Sequence, residues 1–422
     1  MPIESNAPSV PSDKDAILSA PREEGANVLL TANRYDDPER GRHGAIIEET
    51  SAFRSDIELF YDLHALAWNA DEGHTLDARD DAVESDVSYA SSTVPEITLE
   101  NRFDEPGSTG TLTQRVVASV DTCGLLIETE ADFETVAERT FYTVADLGIH
   151  GHDHEDPNAV QEAYITERDG ADLVVATDGD RWLAIAQDRD GDREFDGRRI
   201  GHTGVAEGPD RSAWADISEG NDGFIDDAER AEGNLDVGVG LYVGETDAAS
   251  WLTGVGFGYG EEAAVEHALR LLNRGYESER ETFATAWEEW HETVSDGPTD
   301  DPEVNDLYER SLTAMKCAQD GCCGVIAGAF KPSDMTYKFI WPRDQVIITQ
   351  ALIAAGAEHE ARLALRWFDE NQITGDVVDD RGIDRHGTWW QNYYVTGEAH
   401  WRALQLDQVG GPIYAHWLLW RE

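Results

Sequence analysis

The chain holds 422 residues, with 86 Asp+Glu against 32 Lys+Arg and a formal net charge of −54. A surface this acidic repels nucleic-acid phosphates and anionic bilayers, so neither is an expected partner. The length exceeds that of one ordinary domain, and 40% hydrophobic residues suffice for more than one core. The acids are spread along the whole chain, and Lys14, Lys316, Lys331 and Lys338 are the only lysines. This composition resembles that expected of a protein from a salt-in halophile. Self-repulsion of this size destabilises a compact chain in dilute buffer, whereas at 1 M salt the screening length falls to about 3 Å.

Residues 1–35 are rich in Pro, Ser, Ala and acids and read as a disordered acidic arm. They lack a basic region followed by an apolar run, so a cytoplasmic location is expected. No hydrophobic stretch approaches the roughly 20 residues of a membrane span.

Residues 36–258 read as an antiparallel β-sandwich. TLTQRVVASV (111–120), EAYITERDGADLVVATDGDRWLAIAQD (162–188) and LDVGVGLYVG (235–244) carry short β-branched or alternating runs. Gly and Asp turns break them at the spacing of short antiparallel strands. HGHDHED (150–156) reads as a polar loop that could also hold a metal. DRDGDREFDG (188–197) and NDGFIDDAE (221–229) resemble calcium loops. The first has its glycine too early and the second lacks the first two ligands, so both read as turns, with Ca²⁺ the one cofactor left open. GFGYG (256–260) mimics a dinucleotide loop without the acidic partner of a βαβ unit. Cys123, Cys317, Cys322 and Cys323 form no disulfide or zinc pattern and read as buried thiols.

Near residue 260 the hydrophobic period changes from two to between three and four. Residues 259–300 form a helical linker, in which 261–294 is helical and SDGPTDDPEV (295–304) begins the joint. From 301 to 422, helices are expected over EVNDLYERSLTAMKCA, 344–357, 358–372 and 411–422. Asp301-Pro302 makes a cap followed by a first-turn proline. Short glycine-containing loops make these antiparallel helix pairs.

Three stretches in this helical part interleave aromatic with polar residues: YKFIWPRDQ (337–345), HGTWWQNYY (386–394) and EAHWRALQLDQVG (398–410). A sugar ring has an apolar face of C–H bonds and a rim of hydroxyls. Its site therefore needs aromatic planes, together with Arg, Asp and Gln as donors and acceptors. Core packing of tryptophan and a helix-start ion pair between Arg343 and Asp344 would also account for part of the pattern.

The same stretches resemble glycoside hydrolase family 15, the glucoamylases, glucodextranases and related trehalases. SLTAMKCAQDGCCGVIAGAF (311–330) looks like the family's first barrel helix and the segment after it. YKFIWPRDQVIITQALIAAG (337–356) looks like its Y-x-x-x-W-x-R-D stretch, and HWRALQLDQVGGPI (400–413) like its W-x-x-x-Q-x-D segment. The resemblance implies an N-terminal antiparallel β-sandwich of glucodextranase type, followed by the first helices of an incomplete (α/α)6 toroid. It implies exo-hydrolysis of α-glucans from non-reducing ends with inversion. It assigns Tyr337 and Trp341 to the wall of the terminal-glucose subsite and Arg343 and Asp344 to that sugar's outer hydroxyls. Trp401 falls at the point of cleavage, with Gln405 and Asp407 in the same pocket or just behind it. The family's catalytic acid and base are glutamates in later helices, so no catalytic residue is assigned here, and Glu370 and Glu398 match neither position. The chain is therefore expected to be C-terminally truncated and inactive as it stands. Its partners would be an α-glucan and, to complete the barrel, a second chain. A non-catalytic carbohydrate binder or decayed remnant is the alternative outside the enzyme class; trehalase or glucodextranase specificity is the alternative within the family.

Overall fold

The computed structural model describes residues 15–22, 28–37, 42–105, 108–149, 161–203, 211–219, 228–328, 337–378, 381–403 and 405–421. Residues 16 to 258 are mostly strand. In chain order the strands are β1 (Ala16–Ser19), β2 (Val28–Asp37), β3 (Arg42–Ala52), β4 (Glu58–Asn69), β5 (His74–Asp77), β6 (Glu84–Tyr89), β7 (Ile97–Glu105) and β8 (Ser108–Ala118). They continue with β9 (Gly124–Leu147), β10 (Gln161–Arg168), β11 (Ala171–Thr177), β12 (Trp182–Asp188), β13 (Gly197–His202), β14 (Arg230–Gly233) and β15 (Leu235–Gly258). Helix α1 (Ala213–Glu219) lies between β13 and β14.

All of these strands pair antiparallel within one hydrogen-bonded ladder, because β9 and β15, each 24 residues long, pass through two layers. The late half of β9 pairs with β4 and the early half of β15, while its early half pairs with β8 and the late half of β15. Register shifts at Tyr242/Gly244 and Thr246/Ala248 mark the passage from one layer to the other. Leu29, Ile47, Leu63 and Val237 on one layer share a core with Leu99, Val116, Ile127 and Val255 on the other. This is face-to-face sandwich packing. One buried row runs against the apolar pattern. Asp62, Asp146 and Asp236 are register partners on β4, β9 and β15.

The reading of residues 1–35 as a disordered arm does not hold for its described part. β1 and β2 are paired strands, and Leu18, Leu29 and Leu30 are fully buried. The pairing runs through backbone groups, to which the Pro, Ser and acid content of the arm is blind.

Seven helices occur among the described residues. After α1 they are α2 (Glu261–Arg274), α3 (Tyr276–His291), α4 (Pro302–Cys317), α5 (Pro342–Ala354), α6 (Glu358–Asn371) and α7 (Asp407–Arg421). Two short strands, β16 (Asn392–Tyr393) and β17 (Ala399–Trp401), make a hairpin before α7. The helical stretch 261–294 divides at Gly275, whose φ of 74° ends α2 with a left-handed residue. α7 begins four residues before the expected position 411, at Asp407.

GFGYG has a packing role. α2 lies so close on β15 that a Cβ at Gly256 would overlap the Ala264 carbonyl and the Ala268 nitrogen. The calcium-like stretch at 188–197 is a tight turn. Asp188 accepts the Gly191 N–H at 2.8 Å and pairs with Arg193. Among the described residues no group of three or more His, Cys, Asp or Glu is arranged for a metal. The stretch 150–156 and most of 221–229 lie outside those residues. Cys123, Cys317 and Cys323 are buried and outside any disulfide, but Cys322 is exposed, contrary to its reading as a buried thiol. No described helix is long and apolar enough to cross a membrane.

Candidate sugar-binding site

The segment 337–341 bends at Lys338 and Phe339 and lies between two others. The Tyr337 and Phe339 carbonyls accept from Gly328 and Ala327 at 3.0 and 2.9 Å, while Ile340 exchanges both backbone bonds with Tyr393 at 2.9 Å. Trp341 keeps extended dihedrals, φ −100° and ψ 114°, because the proline that follows excludes the helical region. Pro342 then opens α5 as its first residue. Buried Gln345 ties α5 down, donating to the Ala364 carbonyl at 2.8 Å and accepting from Val325 N–H at 3.0 Å.

The rings of Tyr337, Phe339 and Trp341 meet one another or the β16–β17 hairpin. Tyr337 and Trp341 lie 6.1 Å apart, and Trp341 meets Trp401 edge to face at 5.6 Å. His400 stacks between Phe339 at 4.3 Å and Trp401 at 5.8 Å. Asn392 sets the hairpin, its side-chain oxygen accepting from Trp401 N–H at 2.8 Å.

The structure thus brings Tyr337, Trp341 and Trp401 into one ring array. Trp341 is 6% exposed and Trp401 37%, a buried floor beside an open edge. Arg343 and Asp344 follow in the first turn of α5, paired at 3.3 Å with side chains 42% and 31% exposed. A pair this open keeps donors and acceptors available, and the helix N-terminus favours the Asp344 charge. Gln405 is half-buried just before α7, and Asp407 is exposed as that helix's first residue. α7 packs against α5 near their starts, with Gly411 lying against Val346, so the first turns of the two helices are neighbours.

Two polar atoms in this set, the Trp341 indole N–H and the Gln405 side-chain oxygen, are buried without a hydrogen-bond partner among the described residues. Leaving such a group unpaired costs about 1–3 kcal/mol, and a hydroxylated ligand offers both a donor and an acceptor. Phe339, Asn392 and His400 lie inside the three interleaved stretches, but residue type alone gave them no role, since the hairpin that aligns His400 with Trp401 depends on Gly397 at φ 86°.

Residues 43–292 match the family model described as glucodextranase, domain N, and residues 303–421 match that of glycosyl hydrolases family 15. A glucoamylase of Clostridium sp. is 26% identical over 175 residues, covering 39% of this chain and 23% of its own. An uncharacterized glycosyl hydrolase of Methanocaldococcus jannaschii is 28% identical over 115 residues, 27% of this chain and 16% of that one. The crystal structure of a bacterial glucoamylase complexed with acarbose superposes on all of this chain and 57% of that one, with a TM-score of 0.79 and 20% identity. The likeness extends through both the sandwich and the helices, and the chain spans less than two thirds of each relative's length.

Proposed function

Because this chain belongs to glycoside hydrolase family 15, with a glucodextranase-type β-sandwich before its helices, we propose that it carries the terminal-glucose site of a glucoamylase-type hydrolase. That enzyme would release glucose from the non-reducing ends of α-glucans with inversion.

The observation that carries this reading is the wall formed by Tyr337, Trp341 and Trp401, followed in the chain by the half-exposed Arg343–Asp344 pair. Aromatic planes take the C–H face of a pyranose, and the guanidinium fork and carboxylate take its outer hydroxyls. A site that clasps those hydroxyls reads a chain end, which is exo recognition.

Inversion needs two carboxyl groups about 6.5–9.5 Å apart, one to protonate the leaving oxygen and one to activate water. No residue described here is assigned either role. Glu370 pairs with Arg366 at the surface at 3.5 Å, and Glu398 lends only its backbone carbonyl, to Tyr394 N–H. In this reading the chain contributes recognition, and the acid and base come from helices that also cover the apolar residues Leu406, Ile413, Trp417 and Trp420, which are exposed here.

The test is titration with acarbose, the compound held by the related glucoamylase, in roughly 3 M KCl to screen the acidic surface. Saturable binding is expected, and Arg343→Ala should weaken it about 100-fold. Unchanged affinity in that variant would sink the assignment. Release of glucose from maltose by this chain would refute the statement that its residues lack the catalytic pair.

A further inference from the structure

The sandwich reaches into the sugar wall through residues 49–58, which leave β3 and enter β4. Lys338, between Tyr337 and Phe339, is 2% exposed. Its ammonium lies 3.1 Å from Ser51 Oγ, 3.4 Å from Glu58 and 3.6 Å from Glu49. In a chain with only four lysines, one stands where a compact cation with three rotatable donors meets a hydroxyl and two carboxylates.

Two further residues of the same segment hold the other walls. Asp56, whose side chain is fully buried, accepts the Val395 N–H at 3.0 Å and pairs with Arg54 at 2.7 Å. Val395 lies in the turn of the hairpin that presents Trp401. Ser55 donates its N–H and hydroxyl to Asp320 at 2.6 and 2.8 Å, ahead of the segment 327–328 that runs beside 337–339. Glu49 at φ 44° and Phe53 at φ 68° adopt left-handed backbone that side chains other than glycine rarely take. Such conformations persist where surroundings over-determine them, and they cluster at functional positions.

We propose that residues 49–58 form a positioning strap for the sugar wall: Glu49, Ser51 and Glu58 clasp Lys338 and so aim Tyr337 and Trp341, while Asp56 holds the hairpin that aims Trp401. The strap rests on the sugar-site reading for its purpose and makes the sandwich part of the site's geometry. Lys338, Glu58 and Asp56 are positioning residues, buried in contacts with the strap and with the hairpin backbone.

The test uses the full chain in roughly 3 M KCl, labelled with 5-fluorotryptophan. Acarbose affinity and the fluorine resonances of Trp341 and Trp401, assigned by Trp→Phe variants, are compared for wild type, Lys338→Met, Glu58→Gln and Arg343→Ala. Lys338→Met should weaken acarbose about tenfold or more at temperatures where the variant is fully folded. It should also shift both resonances before ligand is added. Glu58→Gln should do the same to a smaller degree, and the double variant should lose no more than Lys338→Met alone. A contact that merely stabilises would lower the melting temperature and leave affinity and both resonances unchanged, which would overturn the strap. If Lys338→Met does not fold, Glu58→Gln and Ser51→Ala decide by the same two readouts. If wild type binds no acarbose, or Arg343→Ala binds as wild type does, the sugar reading fails. The resonances alone then decide the strap, shifted for it and unmoved against it.

Discussion

Trp341 and Trp401 meet edge to face at 5.6 Å and 78°, one as the cap of α5 and the other at the end of a two-stranded hairpin. The pair assigns different costs to its two members. Trp341→Ala empties a nearly closed position and should destabilise the chain by about 3–5 kcal/mol. Trp401→Ala removes an edge that is already open and should cost about 1 kcal/mol or less in stability, with about 2 kcal/mol lost from acarbose binding. Thermal unfolding beside calorimetric titration separates the two. Equal stability losses would mean that Trp401 is core rather than site.

The contact between α2 and β15 depends on the absence of a side chain. Gly256→Ala drives a methyl into the Ala264 carbonyl and should cost about 1–3 kcal/mol or more. Gly260→Ala, four residues on and facing open space, should be near neutral. Urea unfolding of both variants in molar salt checks the contrast.

Stability should depend on pH through the buried polar row of the sandwich. His64 lies 3.6 Å from Asp62 and 3.4 Å from Asp77, fully buried. Burial opposes its charge, but Asp77 and Asp62 outweigh burial and hold the imidazolium up to about 9. A raised histidine binds its proton more tightly in the folded state. Its contribution is therefore complete below about 6.5 and is lost as pH rises through about 9, a change on the order of 3 kcal/mol. His64→Gln should flatten that alkaline limb in unfolding measured from pH 6 to 10.

Asp146 works in the same direction at lower pH. Burial first, then Asp62 and Asp236 beside it, pushes its carboxyl well above the usual range, and burial holds Asp236 at about 6. Acids raised in the fold stabilise it while protonated and oppose it once charged, so stability falls as pH rises from about 4 through 6. Asp146→Asn keeps an acceptor for the Thr203 hydroxyl, which now bonds at 3.0 Å. It should leave the chain as stable as wild type or more so at pH 7, and make stability less dependent on pH between 4 and 7. A loss at both ends of that range would contradict a neutral Asp146.

The net charge of −54 predicts a folding midpoint that depends on salt. Near-UV circular dichroism at about 0.1 M and 3 M KCl should show fixed aromatic packing only in the second, because the screening length drops well below the spacing of surface carboxylates. Identical spectra in the two buffers would show that buried area outweighs the repulsion.

The sequence by itself determined the order of elements, strands and then helix pairs, because hydrophobic period and turn residues are local properties. It also shows aromatic residues interleaved with polar ones in 337–345 and 398–410, since residue type and spacing are local. Tertiary structure decided what depends on distant partners. It made β1 and β2 out of an arm whose composition looked disordered, because strand pairing is recorded in no single stretch. It turned GFGYG into a seat for α2, and Glu49, Ser51 and Glu58 into a clasp on Lys338. How Tyr337, Trp341 and Trp401 stand relative to one another depends on residues far apart in the chain, because Lys338 and the hairpin are both tied to residues 49–58.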